Sequence, residues 1–290
     1  MSIGLVLEGG AMRGMYTAGV LDVFLDNNIE VDGIVSVSAG LLFGLSYLSK
    51  QRGRTIRYNK KYIKDRRYMG MHSLITTGNI VNEKFAFHDI PNKLDIYDEE
   101  TFQKSKTNIY GVITNVETGN PEYIKINNAT EQIEVLRASS AMPFVSKFVN
   151  IDGKKYLDGG ISDSIPIEKC IDLGYDKIIV ILTRPIEYRK KQTNKLMTKI
   201  KYGKYKNLVN AINNRYKVYN DTVEKIIDLE NKKEIFVIRP SKDLHIKRIE
   251  RNPEKLQQMY DLGINDCKEK LEDLIEYIKN KKIKLGEVNG

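Results

Sequence analysis

The sequence predicts an α/β fold, a three-layer α/β/α sandwich around a mostly parallel central sheet. Three observations carry that prediction. Two short apolar runs near the start, 3–8 and 33–37, are each followed by a stretch of helical character. Runs of the same strand-like kind recur at 108–114, 122–126, 177–182 and 234–238. Hydrophobic residues make up 41% and charged residues 29% of the 290, enough apolar surface for a substantial core. A β-α-β-α opening implies parallel strands, and parallel sheets are covered by helices on both faces.

Taken in order, residues 3–8 form the first strand. Gly9 and Gly10 turn the chain into a helix over 14–27, the second strand ends near Val37, and its helix runs to about Gln51. The segment 68–106 has no clean period. It holds Gly70, Gly78, Pro91 and four aromatic residues from Phe85 to Phe102. Either a loop-rich cap over a site or an ordinary long excursion fits, and the aromatics favour a cap that touches an apolar ligand. A helix over 167–173 stops at Gly174. Asn252 caps a last helix and Pro253 opens it. In it Leu256, Tyr260, Ile264, Cys267, Leu271, Leu274 and Ile278 recur at steps of three and four, one buried stripe of one helix. There is no internal repeat.

Composition narrows the setting. The best apolar run, 41–48, falls well short of the ~20 residues that span a bilayer. The N-terminal apolar stretch is short, carries Glu8 and lacks a basic start, so no signal peptide is expected. Cys170 and Cys267 sit in helix-like apolar patterns, which reads as two buried free thiols in a reducing cytoplasm. The net charge of +9 is concentrated: 50–67 carries nine basic residues and one acid, and 184–217 eleven and one. These segments are either solvated helix faces or a surface for anionic phospholipid headgroups, placing the protein peripherally at a membrane. No nucleic-acid-binding motif is present, and no pattern bears on oligomeric state.

Three motifs carry chemistry. Glu8-Gly9-Gly10-Ala11-Met12-Arg13-Gly14 follows the first strand and opens a helix. Glycines there let backbone N–H groups face negative charge. Ala11 and Met12 depart from the dinucleotide spacing G-x-G-x-x-G, so an oxyanion loop is the better reading. Ile34-Val35-Ser36-Val37-Ser38-Ala39-Gly40 places Ser38 at a sharp strand-to-helix turn, where a hydroxyl projects and the next N–H groups are free. By itself such a serine is better read as a helix cap. Tyr156-Leu157-Asp158-Gly159-Gly160 leaves a carboxylate at a tight turn, where an aspartate bonding its own backbone is the plain alternative.

Together and in this order, the three resemble the patatin-like phospholipase family of acyl hydrolases. Ala138-Ser139-Ser140-Ala141-Met142-Pro143 and Ile165-Pro166 are similar to that family as well, and the resemblance covers about residues 3–183. It implies a catalytic core over 1–183 and a basic, mainly helical extension over 184–290 with one strand near 234–238 packed on the core. It also implies a Ser38–Asp158 dyad without histidine and an oxyanion hole from the N–H groups of Gly9, Gly10, Ala11 and Ala39. Arg13, Gly14, Gly40, Gly159 and Gly160 would be supporting residues. Arg13 would brace the loop, contact a lipid phosphate or form a surface ion pair. His72 and His88 read as solvent-facing or satisfied loop histidines, with lining of the cap as the alternative, and no histidine lies in a triad pattern. No cofactor and no metal are expected, since no Asp/Glu/His/Cys cluster appears. The implied activity is hydrolysis of phospholipid or lysophospholipid acyl esters. A general carboxylesterase and a catalytically weak lipid-surface protein remain the alternatives. Two positions differ from the family: Ala11 stands where it has a third glycine, and Ser36 where the serine turn has its first.

Overall fold

The computed structural model describes residues 1–280. Eight strands form one sheet: β1 (Ile3–Leu7), β2 (Gly33–Val37), β3 (Asn108–Asn115), β4 (Pro121–Ile126), β5 (Val149–Ile151), β6 (Lys154–Asp158), β7 (Lys177–Ile181) and β8 (Phe236–Ile238). Their spatial order is β5-β6-β3-β2-β1-β7-β8, with β4 pairing β3 off that path. The run β3-β2-β1-β7-β8 is parallel, while β4, β5 and β6 make antiparallel pairings at one side. The mostly parallel sheet expected from the opening is therefore present, with an antiparallel flank added.

Burial on both faces explains why the central strands read as unbroken apolar runs. Side chains alternate between two cores: Leu5 and Leu7 of β1 enter one, Val6 the other; Ile179 and Ile181 of β7 enter the first, Ile178 and Val180 the second. Helices α1 (Met15–Asp26), α2 (Ala39–Leu48), α3 (Arg54–Tyr62), α4 (Met71–Thr77), α5 (Glu99–Lys104) and α6 (Ile133–Ser140) precede β5 in the chain, and α7 (Ile167–Asp172) precedes β7. After β7 come α8 (Lys195–Tyr202), α9 (Lys206–Asn231), α10 (Pro253–Glu269) and α11 (Leu271–Lys279). The first core is filled from α1, α2, α3, α6 and α10; α7 and the second half of α9 fill the other. That makes three layers. Gly19 and Gly263 let α1 and α10 touch backbone to backbone, since a Cβ on Gly19 would lie 2.2 Å from the Tyr260 carbonyl oxygen.

Three expectations change. The unperiodic segment 68–106 is largely helical. It contains α4, α5 and a wide-wound helical stretch, Lys84–Leu94, with Pro91 inside it. Its winding departs from the 3.6-residue period, so the period is not visible in the sequence. Phe85, Phe87 and Phe102 bury into the first core. The single C-terminal helix is two, broken at Lys270, although the apolar stripe runs on across the break. The strand near 234–238 does not merely pack on the core: β8 extends the sheet beside β7, with Ile179 opposite Phe236. Asn252 does cap α10, accepting from the N–H groups of Glu254 and Lys255. Both cysteines are buried and free, and burial pushes each thiol up to about 12. Among the described residues no helix is long and apolar enough to cross a membrane.

Candidate active site

Ser38 joins β2 to α2 with φ +55° and ψ −121°, a left-handed conformation rare for any residue with a Cβ. Such strain persists only where the surroundings hold it, and here they do. The Ser38 N–H donates to the Ser139 hydroxyl (2.9 Å), which donates in turn to the Val112 carbonyl of β3 (2.8 Å). Gly40 lets α2 press onto β1, because a Cβ there would lie 2.9 Å from both the Cβ and the carbonyl oxygen of Leu7. Ser36 fits in the sheet with its hydroxyl donating to the Tyr110 carbonyl (3.0 Å), so a serine serves where the family has glycine.

Asp158 ends β6, opposite Ile113 of β3. Its N–H donates to the Ala141 carbonyl (2.9 Å), and its own carbonyl accepts from the Thr114 hydroxyl (2.8 Å). Gly159 passes so close to β3 that a Cβ would sit 2.2 Å from the Val112 oxygen. One carboxylate oxygen accepts the Gly160 N–H (2.7 Å), and the carboxylate lines the same recess as Ser38. Asp158 does bond its own turn, as the plain alternative has it. Residues 138–143 explain their place in the sequence pattern as well: Ser139 grips the backbone of Ser38 and Ala141 grips that of Asp158.

A family model for patatin-like phospholipase matches residues 5–171. This chain belongs to the patatin-like phospholipase family. A second model, a domain of unknown function (DUF6363), matches residues 205–279. An uncharacterized Escherichia coli K12 protein, YjjU, is 29% identical over 90% of this chain and 74% of its own length. A probable lipid hydrolase, 463L, of Invertebrate iridescent virus 6 is 25% identical over 58% of this chain and 62% of its own. Lysophospholipase nte1 of Aspergillus oryzae is 24% identical over 62% of this chain but 12% of its own length. Among solved structures, VipD of Legionella pneumophila aligns with 94% of this chain and 67% of its own, at 14% identity and a TM-score of 0.44.

In this patatin-like protein the glycine loop lies beside Ser38 and Asp158. Glu8 is buried and anchors the start of the loop: its carboxylate accepts the Thr183 N–H (2.6 Å) and the Tyr219 hydroxyl of α9 (3.0 Å). The Gly9 N–H donates to the Ser164 carbonyl (3.3 Å), which removes it from the expected donor set. Met12 N–H donates to the Arg248 carbonyl (3.3 Å) and Arg13 N–H to Gly10 (3.1 Å). Among the described residues no acceptor meets the N–H groups of Gly10, Ala11 or Ala39. Ala11 holds φ +48°, the left-handed region where the family's glycine costs nothing. The alanine keeps its N–H and carries a strain of roughly 1 kcal/mol.

Two cavities meet at Ser38. One, about 1160 Å³ with its open mouth included, is mainly apolar and walled by Met12, Phe43, Met69, Phe87, Ile90 and Leu136 among others. Residues from 68–97 form one side of it, which is the cap contact the aromatics suggested; His88 borders it and exposed His72 does not. The other, about 370 Å³ with its open mouth included, is of mixed polarity and holds Ser38, Asp158, Gly9, Gly10, Ala11 and Gly160 together with Arg13, Arg215, Arg248, Met142 and Pro143. No histidine lines it, and His245 is exposed. Gly14 lies outside both cavities, packed on Phe43 and Ala39. Among the described residues no group of three or more His, Cys, Asp or Glu is placed to hold a metal.

Burial raises the Asp158 carboxyl above its ordinary value; the Arg215 charge, the Gly160 N–H, the Ser38 hydroxyl and the Arg248 charge oppose that rise. Arg215 on α9 reaches within 3.0 Å of where a Cβ on Gly160 would stand. Sequence reading missed Arg215, Arg248, Ser139 and Ala141 as site residues. Ser139 and Ala141 stood in a quoted motif, whereas nothing about the two arginines separates them from the other basic residues of the extension.

Proposed function

We propose that this protein is a serine acyl hydrolase that cleaves fatty-acyl esters of phospholipids or lysophospholipids. The observation that carries the reading is the position of Ser38, strained, sharing a recess with the buried carboxylate of Asp158 and standing where that recess meets an apolar cavity. The apolar cavity takes the acyl chain. Asp158 accepts the Ser38 proton as Oγ attacks the ester carbonyl. The N–H groups of Gly10, Ala11 and Ala39 face the oxyanion, and collapse expels the alcohol with the proton held on Asp158. Water, deprotonated by Asp158, then releases the fatty acid from Ser38. A carboxylate of ordinary basicity, near ~4, is a weak base for an alcohol. Burial makes Asp158 a stronger one, and preorganised N–H donors lower the barrier by roughly 3–4 kcal/mol each.

Of the two basic segments, the second suits a lipid surface. In 50–67, Lys50, Arg52, Arg54, Arg57 and Arg67 are paired to Glu30, Asp26, Asp95 and Asp65. In 184–217, α8 exposes Leu196, Met197 and Ile200 among Lys195, Lys199 and Lys201, none of them in an ion pair among the described residues. An amphipathic basic helix of that kind lies in a headgroup interface.

The test is fluorophosphonate labelling followed by intact-mass analysis and peptide mapping. One phosphonyl adduct on Ser38, absent in Ser38→Ala, is expected. An adduct on another residue, or full esterase activity in Ser38→Ala, would overturn the mechanism.

A further inference from the structure

We propose that Arg215 and Arg248, with Arg13, form a subsite for the phosphate group on the alcohol side of the ester, so that the enzyme reads a phosphorylated glycerol headgroup. The proposal rests on the serine-hydrolase reading above. Both arginines come from outside the residues matched to the family model, Arg215 from α9 and Arg248 from the stretch between β8 and α10. They nevertheless wall the same recess as Ser38 and Asp158. The Arg248 carbonyl accepts the Met12 N–H, which ties this stretch to the glycine loop.

Charge is out of balance around that recess. Arg13 feels Arg184 and Arg248 against Glu8, Arg215 feels Asp158 more than Arg248, and Lys190 feels Arg215, Arg248 and Arg13 against Glu8, so three arginines and a lysine share two acids. The nearby acids are committed. Both oxygens of Glu8 are held by Thr183 and Tyr219, Asp243 pairs with Arg184, and Asp158 holds the Gly160 N–H. Among the described residues no side-chain hydrogen bond or ion pair is made by Arg13, Arg215 or Arg248, and Nε of both Arg13 and Arg215 is buried without an acceptor. A buried guanidinium Nε without an acceptor is costly, and an anion entering the recess meets that need at Arg13 and Arg215. Desolvation and the neighbouring cations lower Arg13 to about 10 and depress Arg215 and Lys190, the response of a cluster short of negative charge.

Geometry says which anion. With the acyl chain in the apolar cavity, the opposite side of Ser38 receives the alcohol portion of the ester. An anion there, a few bonds from the ester oxygen, is the phosphate of a glycerophospholipid. Guanidinium groups suit it because they donate two parallel N–H bonds to a phosphate.

The test compares a lysophospholipid with a monoacylglycerol of the same acyl chain. Arg248→Ala, at an exposed position, and Arg215→Gln are expected to lower the ratio of kcat/KM for lysophospholipid over monoacylglycerol about tenfold or more, mainly through KM. Arg248→Lys should recover part of the ratio. Glycerol phosphate should inhibit lysophospholipid hydrolysis more strongly than inorganic phosphate. A ratio unchanged in both variants overturns the assignment, also where inorganic phosphate binds, because the site would then serve free phosphate. If the wild-type protein hydrolyses neither substrate, the hydrolase reading has failed on its own. The subsite is then decided by calorimetric titration of glycerol phosphate. Binding that weakens tenfold or more in Arg248→Ala supports the site, and no binding to the wild type overturns it.

Discussion

Asp158→Asn separates the structural and chemical roles of the buried carboxylate. The amide oxygen of Asn still accepts the Gly160 N–H that Oδ1 holds at 2.7 Å, so the turn after β6 persists. The backbone bonds to Ala141 and Thr114 do not involve the side chain and also survive. Proton acceptance from Ser38 is lost. General-base catalysis contributes typically ~10²–10⁴-fold, so kcat on a short-chain nitrophenyl ester should fall about a thousandfold, roughly 4 kcal/mol in the barrier. Stability should move the other way. Burial is the largest cause acting on Asp158 and raises its pKa in the folded state. A carboxyl raised by folding favours the fold fully below its unfolded value, and that contribution is lost as pH rises through the folded value. Thermal melting of wild type and variant across pH 4 to 8 reads the difference, in which all other titrating groups cancel. The variant should gain on the wild type as pH rises through that window. For the same reason the acidic limb of the wild-type kcat/KM profile should lie above the ordinary carboxylate value near ~4. A rate loss under tenfold, or a melting difference that is flat or shrinks with rising pH, would refute the assignment of Asp158 as the buried base.

Three further outcomes follow from the packing around the site. Gly40→Ala pushes a Cβ into the backbone of Leu7 and Glu8, and should cost roughly 1–3 kcal/mol in urea unfolding while lowering kcat through a displaced Ser38. Ser139→Ala removes the acceptor of the Ser38 N–H and the donor to Val112, both buried; about 1–3 kcal/mol of stability should be lost, with kcat falling more than KM changes. Ile200→Glu on α8 should weaken sedimentation with anionic vesicles without changing hydrolysis of a soluble short-chain ester, and wild-type vesicle binding should weaken with salt.

Much of the core was legible because its strands are buried on both sides. β1, β2 and β7 are mainly apolar, β3 carries an apolar Ile109, Tyr110, Val112 and Ile113, and each was bounded to within a residue or two. Ser38, Asp158 and the glycine loop were legible for a related reason: a strained turn and close backbone contacts demand particular small residues in order. The segment 68–106 was not, since its wide-wound helix lacks a regular apolar repeat. Nor was the break at Lys270, because the stripe continues through it.

By itself, then, the chain's sequence determined the central strands, the turn that strains Ser38 and the residue types able to act as nucleophile and base, since each depends on neighbours close in the chain. Tertiary structure alone decided the rest. It turned the Gly9 N–H toward Ser164, placed Ser139 and Ala141 as grips on the backbone of Ser38 and Asp158, joined β8 to the sheet and brought Arg215 and Arg248 to the recess. Those are contacts between segments remote in the chain, and a basic residue in a helical extension looks the same in sequence whether it meets solvent or an active site.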